Sequence, residues 1–111
     1  MRMWNVNPKF LCLNHLLGEH LECHMFLGCL EKGTSVQGYL DNGLLEIHHV
    51  RKRHDELASE MKSRGMNHNS PINETQFDCR IEGCIDCNEN IQELKRRCPK
   101  CRERIEKYDD I

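Results

Sequence analysis

The chain has 111 residues, with sixteen lysines and arginines against eighteen aspartates and glutamates, a net charge of -2 and 38% hydrophobic residues. That length supports one small domain with an appendage and a thin core, which excludes a large enclosed active site. The near balance of charge excludes a global field that would draw the protein to nucleic acid or to an anionic membrane, so any such contact uses local patches.

No apolar run approaches the roughly 20 residues needed to span a bilayer, and Met1-Arg2-Met3-Trp4 does not lead into a signal-peptide core. The expectation is an intracellular protein of the cytoplasm or nucleoid, without a membrane partner. Eight cysteines could indicate a secreted disulfide scaffold. Three of them scatter through helical segments, however, and five crowd into residues 79–101 with metal-ligand spacing, which reduced thiols and a metal explain better.

Met1 to Leu11 is extended as far as Asn7-Pro8, where the proline opens a short turn. A long helix is predicted from about Asn14 to Glu31, with Gly33 as its left-handed C-terminal residue. At about 100° per residue, Leu13, Leu16, Leu17, His20, Cys23, His24 and Leu27 share one face while His15, Glu19, Glu22 and Phe26 share the opposite one. Bulk on both faces predicts packing on two sides. Glu22 then has two readings: a half-dried carboxylate in a pocket beside Gly18, Phe26 and Cys29, or an ordinary solvated one.

Thr34 to Leu40 reads as a linker, and Asp41 or Asn42 as the cap of a second helix in which Leu44, Leu45, His48, Leu57 and Met61 recur before Gly65 ends it. Two such helices form an antiparallel pair. Within the second, Arg51-Lys52-Arg53-His54 is either a solvated basic face or a phosphate contact. The polar stretch Gly65 to Phe77 reads as a domain boundary.

The tail carries Cys84-x2-Cys87, ten residues, then Cys98-Pro99-Lys100-Cys101. Two such knuckles offer four thiolates to a tetrahedral structural zinc at about 2.3 Å, and a segment this short needs the metal in order to fold. Cys79 could substitute for Cys84, and iron in a rubredoxin-like site is the alternative. Lys95, Arg96, Arg97, Lys100, Arg102 and Arg104 surround the second knuckle, as a nucleic-acid grip or as part of a plain stability cap.

Met1-Arg2-Met3-Trp4 with Asn7-Pro8-Lys9-Phe10-Leu11, His15-Leu16-Leu17-Gly18-Glu19 with Glu22 and Gly28, and later Arg51-Lys52-Arg53, Glu56-Leu57 and Arg64-Gly65 with Asn67 carry a resemblance. Residues 1 to about 72 resemble the pyrimidine-dimer DNA glycosylase family, the phage endonuclease V type that excises ultraviolet photoproducts, and a phage-encoded origin is compatible with it. The resemblance implies an α-amino nucleophile at the N-terminus, here Met1, because Arg2 should block removal of the initiator methionine. It also places the essential carboxylate on Glu22 and gives Arg2 the role of neighbouring cation and phosphate contact. Such an amine has a reference pKa of about 7.7–8.0, so a useful fraction is neutral near physiological pH.

The sequence departs from the phage prototype where that protein carries basic DNA contacts, since Leu21 and Met25 stand at those positions and residues 1–70 hold eight basic and eight acidic side chains. His15, Arg51, Lys52 and Arg53 together with Lys95, Arg96 and Arg97 are then the expected DNA contacts. His20 and His24 read as packed or partner-facing residues, an i, i+4 pair being weak evidence for a metal. The resulting expectation is an all-α protein with an antiparallel long-helix pair and a short C-terminal zinc-ribbon-like module. Its parts are a glycosylase/abasic-site-lyase-like domain over 1–72, a linker over 73–78 and a four-cysteine zinc module over 79–111, acting on damaged double-stranded DNA without an organic cofactor. The competing class is a non-catalytic zinc-containing protein that keeps the scaffold and binds nucleic acid or protein.

Overall fold

The computed structural model describes residues 1–67 and 81–109, and among them every regular element is helical. The expected linker over 73–78, most of the polar boundary stretch and Cys79 lie outside the described residues. The helices are α1 (Leu13–Lys32), α2 (Gln37–Asp41), α3 (Val50–Ser63), α4 (Cys87–Arg97) and α5 (Pro99–Tyr108), with 3-10 turns at Pro8–Phe10 and Ile47–His49. The predicted all-α class and the long-helix pair are both present: the start of α1 lies by the end of α3, where Arg64 donates to the Leu11 carbonyl at 2.8 Å, and the middle of α1 meets the start of α3.

α1 ends as expected, with Gly33 at φ +74° and the Thr34 N–H donating to the Cys29 carbonyl at 2.9 Å. The helix is packed on two sides: Leu16, His20, Cys23 and Leu27 are buried on one, Glu19 and Phe26 on the other. Leu13 and Leu17, expected inside, are exposed and continue with Leu21 and Met25 as an uncovered apolar row. The second helix also starts later than its spacing suggested. Gly43 at φ +68° turns the chain out of α2, and Leu44 to Glu46 runs between the N-terminal segment and the tail. There the Met3 N–H donates to the Leu44 carbonyl at 2.8 Å, and the Ile47 N–H to the Glu82 carbonyl at 3.0 Å. Tertiary hydrogen bonds on both sides replace the helical ones, while Leu45 and Ile47 remain buried. Gly83 makes this approach possible, because a Cβ there would stand 2.1 Å from the Leu45 carbonyl oxygen.

α4 is capped by Asp86, which accepts from the Glu89 N–H at 3.0 Å, and α5 begins with Pro99 at its first position. Both helices join the same hydrophobic cluster as the N-terminal segment through Leu94, Cys101 and Ile105, with Ile85 just before α4.

The crossing of α1 and α3 is held by a buried ion pair. Glu19 and Arg53 are each 1% exposed. Arg53 donates from Nε to Glu19 Oε2 at 2.5 Å, from Nη2 to Glu19 Oε1 at 2.9 Å and from Nη1 to the Val6 carbonyl at 2.6 Å. Burial pulls the Arg53 pKa down, but the Glu19 carboxylate more than reverses it and the guanidinium is held above its ordinary value. Removing either partner strands a buried charge, at a cost of about 3–5 kcal/mol. Glu19→Gln and Arg53→Met are each expected to lose that much in urea unfolding, and the double variant less than the sum of the two.

Candidate active site and metal centre

The N-terminal segment crosses α1 one turn beyond the buried pair and brings the chain start to Glu22. The Arg2 backbone N–H donates to Glu22 Oε2 at 3.1 Å. Burial pushes the Glu22 pKa above the ordinary carboxylate value; the Arg2 N–H and the positive charge of the Met1 α-amino group pull it part of the way back. The half-dried reading of this carboxylate is the one the structure bears out.

Around it, the Arg2 guanidinium lies 3.9 Å from the centre of the Trp4 ring and donates from Nη2 to Asn90 Oδ1 at 2.7 Å. Asn90 in turn donates to the Trp4 carbonyl at 2.7 Å, so α4 clamps residues 2 and 4 with one side chain. Arg97 stands 5.3 Å from the same ring. Burial, then the Arg97 charge, lower the Arg2 pKa. Arg2 Nε is buried with no hydrogen-bond partner among the described residues.

The second constellation forms where α1 and α5 begin. Cys12, His15, Cys98 and Cys101 bring their donor atoms within 4.8 Å of one another. His15 Nδ1 lies 3.2 Å from Cys12 Sγ and 3.4 Å from Cys101 Sγ, and the Cys12 and Cys98 sulfurs are 3.9 Å apart. Cys12 and Cys98 are the N-caps of α1 and α5, so two helix N-termini face the thiols. The Cys12 N–H donates to Cys101 Sγ at 3.2 Å, the kind of outer bond that orients a ligating thiolate. Burial pushes the Cys101 thiol up to about 12, whereas at Cys98 the N–H groups of Cys101 and Lys100 outweigh burial and hold the thiol below its ordinary value. Three thiols and an imidazole at these spacings could hold one tetrahedral zinc ion.

That grouping corrects the expected ligand set. Among the described residues, Cys84 and Cys87 do not join Cys98 and Cys101. Cys84 is exposed, and Cys87 donates through Sγ to the Asn5 carbonyl at 3.1 Å. α4 occupies the ten residues between the two knuckles, and its length carries the first pair away from the second. The spacing that the fold sets beside Cys98 and Cys101 is Cys12-x2-His15, a signal present in the sequence but hidden by reading the tail as self-contained.

The expected DNA contacts divide. Arg53 is buried on Glu19 and is not available to phosphate, and His15 turns Nδ1 to thiols. Lys52 is exposed, and Arg51 and Lys95 are half-buried. Arg96 and Arg97 are exposed but share Glu93, whose carboxyl their hydrogen bonds hold down at about 2. Arg97 is the member of that set that the fold brings to the Trp4 ring beside Arg2.

A sequence model of the family described as pyrimidine dimer DNA glycosylase matches residues 1–74. The chain belongs to the pyrimidine-dimer DNA glycosylase family. No curated protein and no solved structure matches it. This glycosylase-family segment contains Met1, Arg2, Glu19, Glu22 and Arg53, while Asn90, Arg97, Cys98 and Cys101 come to it from outside the match. No helix among the described residues is long and apolar enough to cross a membrane.

A carboxyl whose folded pKa is raised contributes stability that is complete below its unfolded pKa and is lost as pH rises through its folded value. Glu22→Gln is therefore expected to leave stability unchanged in acid and to make the protein more stable than wild type above that window. Urea midpoints measured for both proteins across the carboxylate range check the sign, and a loss of stability in Glu22→Gln at neutral pH contradicts it.

Proposed function

We propose that this protein is a DNA glycosylase with abasic-site lyase activity on damaged pyrimidines, using the Met1 α-amino group as nucleophile. The observation that carries this reading is the Glu22 carboxylate, half-buried and raised in pKa, within electrostatic reach of that amine and bonded to the Arg2 N–H. The amine attacks the deoxyribose C1′ and expels the base; the C1′–O4′ bond then breaks, O4′ takes up a proton, and the resulting imine promotes β-elimination of the 3′ phosphate. Glu22 stabilises the cationic sugar and imine and moves protons between them. A carboxyl whose pKa is raised by burial suits a group that must hold and release a proton during the reaction. The Arg2 guanidinium, held on Trp4 and Asn90, is the neighbouring cation for the phosphate.

Adding one residue before Met1 displaces the amine by about 3.8 Å while leaving every side chain in place. Borohydride trapping on abasic-site DNA should then be abolished, and Glu22→Gln should keep DNA binding while losing about 3–4 kcal/mol of transition-state stabilisation. Undiminished trapping in the extended protein refutes the Met1 assignment. The non-catalytic reading draws on Leu21 and Met25, which are 60% and 48% exposed at the positions where the phage prototype carries basic contacts. It predicts binding to DNA or protein without any trapped adduct.

We further infer a structural zinc on Cys12, His15, Cys98 and Cys101. An ion there would tie the start of α1 to the start of α5 and so fix α4, with Asn90, over residues 2 and 4. Because protons compete for the thiolates and the imidazole, affinity should fall as pH falls. Elemental analysis should find that Cys12→Ser and Cys101→Ser lose the tightly held metal while Cys84→Ser and Cys87→Ser keep it. Metal lost in Cys84→Ser, Cys87→Ser and Cys101→Ser but kept in Cys12→Ser would restore the ligand set expected from the tail alone.

A further inference from the structure

A third cluster of donors lies on the opposite side of α1 from Glu22. His20 and His24, one helical turn apart, meet His54 of α3, and one ring nitrogen from each falls within 4.8 Å of the other two. His24 Nε2 and His54 Nε2 are 3.1 Å apart, and the three ring centres are 4.7–4.8 Å from one another. His20 and His54 are buried and His24 is half-buried. We propose that His20, His24 and His54 form a second metal site, independent of the cysteine centre, that takes a late first-row divalent cation such as zinc with three imidazoles and one water.

Three features of the geometry support this. Two histidines at i and i+4 on one helix face present their rings to a single point, and α3 supplies a third ring there. Two nitrogens bound at the ordinary zinc distance in a tetrahedral site lie about 3.3 Å apart, close to the His24–His54 separation. The third feature lies outside the ring: His54 Nδ1 is 3.0 Å from Asp55 Oδ1. A carboxylate there keeps the proton on Nδ1 and leaves the Nε2 lone pair facing the cluster, the outer arrangement that ligating histidines use. His24 is the member of the three that is only half-buried, so the fourth ligand would come from its side. The donor set is all imidazole, which suits zinc, copper, nickel and cobalt but not calcium or magnesium.

The site sits beside the buried ion pair, His20 following Glu19 on α1 and His54 following Arg53 on α3. An ion here bolts together the two helices that the ion pair orients. It also holds the turn of α1 that carries Glu22, which lies between His20 and His24 in the chain.

Cobalt titration of the full-length protein, freed of metal under reducing conditions, separates the two centres, because only the cysteine centre gives thiolate-to-metal charge-transfer absorption. The expected result is two equivalents per chain, the second lost in His24→Gln while the charge-transfer band of the first is kept. Asp55→Ala should retain both equivalents but weaken the second about 10- to 100-fold. A wild-type protein that stops at the cysteine centre, or a second equivalent that survives in His24→Gln, overturns the proposal. Should His24→Gln fail to fold, copper bound as the second equivalent of wild type decides the matter. Nitrogen couplings from three imidazoles support the site, and their absence refutes it.

Discussion

The Glu19–Arg53 pair is the constraint from which the placement of the catalytic candidates follows. A carboxylate and a guanidinium removed from water must find each other in good geometry, and the two-pronged match between them leaves little freedom in the crossing of α1 and α3. Arg53 also takes the Val6 carbonyl, and Glu19 lies 3.4 Å from the Asn5 N–H, so the N-terminal segment is anchored to the same pair. Once residues 5 and 6 are held there, the extended chain has only a few residues in which to reach Glu22, one turn further along the helix. The approach of the chain start to that carboxylate is thus a consequence of a salt bridge that performs no chemistry.

The C-terminal helices complete the arrangement from the other side. Cys87 bonds to Asn5, Asn90 to residues 2 and 4, and Cys101 to the Cys12 backbone, so the N-terminal segment is gripped at three places along its length. Asn5 adopts φ +54°, a conformation in which asparagine is better tolerated than most residues, and this bend lets the segment meet α1 and α4 at once. The tail is thereby part of the site that the family segment begins.

The two acids of α1 show how environment divides roles within a single turn. Glu19 faces a buried guanidinium and is structural. Glu22, three residues on, is half-buried, met by the Arg2 N–H and by the charge of the Met1 amine, and its pKa is raised. A half-buried carboxyl with a raised pKa is a frequent mark of a site where protons move.

Local signals in the chain were enough to place the helices that have strong ones. Gly33 stops α1, and two-sided bulk on α1 announced that it would be covered on both sides. The family resemblance singled out Met1, Arg2 and Glu22 as candidates, and the fold brings the chain start to Glu22. Which charges are buried was settled by packing: Arg53 reads like its neighbours Arg51 and Lys52 until α1 supplies Glu19. Packing also settled which knuckles pair, since Cys98 and Cys101 find partners 86 residues away at Cys12 and His15, with α4 keeping Cys84 and Cys87 apart from them. It likewise brought His54 to His20 and His24. Local spacing states what a residue can do, but the partner that completes a salt bridge or a metal site is supplied by chain distant in sequence, and only the folded packing brings that chain within bonding distance.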